Sequence, residues 1–130
     1  MSPDRPRDRL GRPLPPDAQD DQRGPVVPDV GNLDDAAAWQ MAWEYTLRGL
    51  PFHAHEVCEQ RWRMCRGDER DAWRALAQWG AAETHEARGS REGARRLAER
   101  ALDGLGHASS LPDGVDVDAV RLRCAILLRD

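Results

Sequence analysis

The sequence predicts an all-α fold, a small antiparallel bundle of about four to five helices behind a disordered N-terminal tail. From Asn32 onward the apolar residues recur at helical spacing, and no stretch shows the every-second-residue alternation of a strand. Gly49, Gly67 and Gly89 cut this region into helix-length pieces with short connections, an arrangement that sets consecutive helices side by side and antiparallel. The stretch from Met1 to Gly31, by contrast, holds seven of the nine prolines.

That leading stretch, residues 1–31, carries almost no large apolar side chain, so it buries too little surface to offset its ordering entropy. It is expected to be a disordered Pro/Asp/Arg-rich tail before a single helical domain over residues 32–130. In the first helix Asn32 and Asp35 form a capping pair, and Trp39, Ala42, Trp43, Thr46, Leu47 and Leu50 recur at helical spacing up to Gly49. Pro51 stands where a helix tolerates proline, at its first position, and opens a second helix that runs to about Arg66 before Gly67. Asp68 and Asp71 favour the positive end of a third helix, which reaches about Arg88 and stops at Gly89. Ser90 caps a fourth, with Ala94, Leu97, Ala98, Ala101, Leu102 and Leu105 on one stripe and Gly104 with Gly106 at its close. Asp116 caps a short last helix whose Val117, Val120, Cys124, Leu127 and Leu128 face inward.

Composition excludes several function classes. The net charge is −4, so there is no general attraction to nucleic acid or to an anionic membrane; that every basic residue is arginine reads as a composition bias. The five tryptophans read as core, because no basic, glycine-containing RNA-binding signature accompanies them. No apolar run is long enough to cross a bilayer, and Met1 to Arg7 lacks the apolar centre of a secretory leader, so a cytoplasmic location is expected. Cys58 and Cys65 lie too far apart along one helix to bridge; the three thiols are expected to be reduced.

The chemistry gathers on the second helix. Ala54, Cys58, Trp62 and Cys65 fall on one arc, the face toward the core, with His55 and Glu59 beside it one turn apart and Glu56 further out. A histidine and a carboxylate four apart can share a metal ion, or the carboxylate can orient the imidazole. On the third helix Gln78 and His85 share a face, while Glu83 projects from the apolar side and needs a partner such as Arg61, Arg95 or Arg96. The candidate polar site is therefore His55, Glu56, Glu59, Gln78 and His85, supported by Trp62; His55, Glu59 and His85 are the metal candidates. The competing reading makes His55 and Glu59 a helix-border hydrogen bond with no further role. The spacing matches neither the His-Glu-x-x-His zinc pattern nor a pair of Glu-x-x-His motifs.

Ala54-His55-Glu56-Val57-Cys58-Glu59 with Trp62, followed by Gln78, His85, Gly89, Gly93 and Ala94, resembles the small helical bacterial and archaeal proteins grouped as domain of unknown function 309. Their pattern is Ala-His-Glu-x-x-Glu-x-x-Trp, then Gly-Leu-Ile-Gln, then Gly-Asn-x-x-Gly-Ala. The resemblance spans Trp39 to Leu105 and implies an all-helical bundle with His55, Glu56, Glu59, Trp62, Gln78 and His85 as the positions of interest. It implies no activity. Ala75 and Ala77 stand where the family has Gly and Ile, and Ser90 where it has Asn; Ala75 is expected to hold the second and third helices further apart.

The expected function is a ligand- or protein-binding module that uses the His/Glu face. The alternative is a metal protein or metal-dependent hydrolase with a divalent ion on His55, Glu59 and His85. A homodimer through the last two helices is a third option.

Overall fold

Five helices form where the periodicity places them in the computed structural model, which describes residues 5–129; what the sequence predicts for residues 1–4 and 130 lies outside the described residues. They are α1 (Asp35–Leu47), α2 (Pro51–Met64), α3 (Arg70–Ala87), α4 (Arg91–His107) and α5 (Val117–Leu127). Among the described residues there is no strand, only an isolated bridge between Arg7 and Pro13.

The local signals are mixed in their accuracy. Pro51 is the first residue of α2, and Asp116 accepts a hydrogen bond from the Ala119 amide at 3.0 Å. The cap of α1 is Asp34, which accepts from the Ala37 amide at 2.8 Å, rather than Asn32. Gly49 and Gly89 adopt φ of 76° and 83°, the left-handed conformation that ends α1 and α3. Ser90 makes no side-chain cap, and α4 runs on through Gly104 and Gly106 to His107. Gly104 serves packing: a Cβ there would stand 3.0 Å from that of Ala75 on α3.

Contacts of named residues fix the antiparallel order. Asp35 of α1 pairs with Arg61 of α2, while Tyr45 at the other end meets His53. Gly80 of α3 abuts His55, and earlier in α3 Trp73 lies under Arg61. His85 packs on Gly93 of α4, and Arg91 reaches the Arg129 carbonyl beyond α5. Trp73, Leu76, Trp79, Val57, Cys58, Val120 and Cys124 are buried where these elements meet. Trp43 stacks on Trp39 and on Trp79, which are tilted to each other by 40°, with all three ring centroids 5.5–6.3 Å apart. Trp62 is half-buried, its ring covered by the guanidinium groups of Arg70 and Arg74.

Glu83 is buried, and its partner is none of the three expected arginines. Its carboxylate accepts from Trp79 Nε1 at 3.0 Å and from Arg123 of α5 through Nε at 2.7 Å and Nη2 at 3.0 Å. Arg61 is held instead by Asp35 and the Leu33 carbonyl.

The described part of the leading segment follows α2 and α3, and its Val30 is buried in the helical core with Val27 packed beside it. The Val30 amide donates to Gln60 Oε1 at 3.0 Å, and Gln60 Nε2 donates to the Pro28 carbonyl at 3.1 Å. Arg88 donates to the Leu10 carbonyl through Nε and Nη2, at 2.9 and 2.6 Å. Gly11 and Phe52 are in contact, and Gly24 lies on the ring of His53.

Cys58, Cys65 and Cys124 are free thiols, and burial pushes Cys58 up to about 12, so it is a core residue rather than a nucleophile. No described helix is long and apolar enough to cross a membrane.

Candidate functional site

His55, Glu56 and Glu59 come together on α2, and the reason lies on α3. Gly80 has no Cβ, and one placed there would stand 2.6 Å from the His55 Cα, so the backbone of α2 rests directly on α3. At that approach His55 Nδ1 lies 2.9 Å from the carbonyl of Ala77, one turn before Gly80. A carbonyl can only accept, so Nδ1 carries a proton. Nε2 faces Glu59 Oε2 at 2.7 Å. At that distance the two atoms can share a proton or face a common cation.

Glu56 completes the group. One ligand atom from each of His55, Glu56 and Glu59 lies within 4.8 Å of the others, and all three residues are half-buried. Glu59 has a second neighbour in Arg63, which is largely exposed and reaches its other oxygen.

The other expected members lie elsewhere. Gln78 lines a polar cleft between α3 and α4 with Arg74, Arg100, Asp103 and His107. His85 faces the start of α4, where a Cβ at Gly93 would stand 2.6 Å from its Nδ1, an atom with no hydrogen-bond partner. The structure therefore does not gather Gln78 and His85 with His55. Ala75 too faces α4, at Gly104, and has no part in the spacing of α2 and α3.

Sequence reasoning missed three participants. The Ala77 carbonyl has no side-chain signal, and Gly80 sat unremarked in an alanine-rich run. His53, which no sequence signal singled out, is buried between Tyr45, Phe52 and Gly24. Burial lowers its pKa from 6.5; the Pro25 carbonyl opposes this shift, while Arg48 and Arg9 reinforce it. The unfolded chain thus binds the proton more readily than the native one. The stability contributed by neutral His53 is complete above about pH 6.5 and is lost as the pH falls through the lower native value. Unfolding midpoints should drop on acidification from about pH 7 to about pH 5, and His53→Gln should flatten that dependence.

Residues 39–97 match the family model described as Domain of unknown function (DUF309). No curated protein and no solved structure matches the chain. The matched span runs from Trp39 in α1 to Leu97 in α4 and includes His55, Glu56, Glu59, Gln78 and His85, so this part of the chain is similar to the DUF309 family.

Proposed function

We propose that this protein binds a divalent transition-metal ion through His55 Nε2 and the carboxylates of Glu56 and Glu59. The observation that carries the reading is the hydrogen bond from His55 Nδ1 to the Ala77 carbonyl, which sets the ring with Nε2 at Glu59 and a Glu56 oxygen in the same group of ligand atoms. Metal-bound histidines are commonly fixed in this way through their second nitrogen. One imidazole and two carboxylates suit zinc, manganese or ferrous iron, and three protein ligands leave coordination positions for water or a ligand. Such an ion acts as a Lewis acid toward a bound carbonyl or phosphoryl group. Glu56 is the third donor in place of His85. The free thiols favour a reducing compartment, the cytoplasm.

The test is elemental analysis of the purified, untagged protein beside His55→Ala, together with thermal unfolding during zinc and manganese titrations. One equivalent of metal is expected in the parent protein and none in the variant. Added metal should raise the unfolding midpoint of the parent protein alone. If both proteins are metal-free and neither midpoint responds, the His55–Glu59–Arg63 chain is a polar contact and the face is a module for a partner or ligand.

A further inference from the structure

Between the leading segment and α2 lies a cavity of about 440 Å³, lined by Arg5, Arg7 and Arg23 on one side and by Phe52, Glu56 and Gln60 on the other. Backbone carbonyls aim the three guanidinium groups. Arg5 donates through Nε and Nη2 to the Leu14 carbonyl at 3.2 and 3.0 Å, and Arg7 donates through Nη1 to that of Gly11 at 2.6 Å. Arg23 donates through Nε to the Ala18 carbonyl at 3.1 Å and through Nη2 to that of Pro16 at 3.2 Å. The guanidinium of Arg7 also lies over the Phe52 ring, 5.2 Å from its centroid.

A carbonyl fixes the direction of a guanidinium without neutralising it, and each group keeps N–H donors beyond those its carbonyls accept. None of the three arginines forms an ion pair with a carboxylate among the described residues. Three positive charges therefore border a space whose lining includes a single carboxylate, Glu56, and whose wall is apolar at Pro25, Val27 and Phe52. An oxyanion with a short apolar body is complementary to both features.

We propose that this cavity binds a small organic oxyanion, a carboxylate or a phosphate ester. Arg5, Arg7 and Arg23 hold its charged end, and its apolar part lies against Phe52 and Val27. The site borders the cation cluster at Glu56 but needs no metal, so the two readings stand or fall separately.

The test is an NMR titration of the full, metal-free chain at constant ionic strength with phenyl phosphate, benzoate and inorganic phosphate. Saturable shifts are expected at the Gly24 amide and the Nε–H groups of Arg7 and Arg23, with an aromatic probe binding more tightly than inorganic phosphate. Whether phenyl phosphate or benzoate binds better assigns the charged group. Arg7→Gln and Arg23→Gln should each weaken binding about tenfold, whereas Arg100→Gln, the same charge change on α4, should not. Should Arg7→Gln release the leading segment, seen as loss of the Phe52 ring-current shift at Gly11, Arg23→Gln alone decides. Shifts that never saturate, or an equal loss in Arg100→Gln, would overturn the assignment.

Discussion

Arg123→Leu is expected to lower the free energy of unfolding by about 3 kcal/mol, because it strands a buried carboxylate. Glu83 is 7% exposed, and its remaining partner would be the Trp79 indole N–H. Removing one member of a buried pair costs more than the pair contributes, since the surviving charge has lost both water and partner. The Arg123 side chain is 41% exposed, so water can enter the space it leaves, which puts the value near the lower end of the about 3–5 kcal/mol seen for fully enclosed pairs. The second variant makes the argument specific. Glu83→Leu with Arg123→Leu should recover part of the loss, up to about 2 kcal/mol, leaving the cost of one unpaired Trp79 N–H, at least about 1 kcal/mol. Urea unfolding of the parent, single and double variants measures both; a double variant no more stable than Arg123→Leu would mean that the stranded charge is not the cause.

Gly80→Ala should act on stability and site together. In an open helix the change would help by about 1 kcal/mol, as alanine is the better helix former. Here the new Cβ meets the Cα and N of His55 at 2.6 and 2.9 Å, and backbone cannot rotate away as a side-chain tip can. Overpacking of this kind costs about 1–3 kcal/mol. The relief available is for α2 to lift from α3, which lengthens the His55–Ala77 hydrogen bond and frees the ring to turn from Glu56 and Glu59. We expect a net loss of about 2 kcal/mol in urea unfolding and, on the proposed metal site, at least a tenfold, or about 1.4 kcal/mol, fall in affinity for the ion. Gly106→Ala is the matched control, since that exposed α4 glycine has open space around it and should stabilise.

These two cases mark where the sequence was readable. Element type and order followed from periodicity, and Pro51, Gly49, Gly89 and Asp116 gave local boundaries because each acts through its own backbone or its own turn. Gly104 and Gly106 misled as stop signals, since a glycine that ends a helix and one that admits a neighbour look the same in one dimension. The His55, Glu56 and Glu59 part of the candidate site was legible because one turn of one helix sets its spacing. The Gln78 and His85 part was not. Their common face on α3 was correctly inferred, but which helix that face meets depends on packing: Gly80 turns one side of α3 to α2, and Gly93 and Gly104 turn the other to α4. Likewise the partner of Glu83 came from α5, 40 residues away, where no local pattern points.

The close packing of the Trp39, Trp43 and Trp79 indoles has an optical consequence. Chromophores 5.5–6.3 Å apart share their excited states, so their transitions couple and add rotational strength of their own in the far ultraviolet. Circular dichroism will therefore misreport the helix content of this protein, and Trp79→Phe should change the spectrum by more than the loss of a single tryptophan.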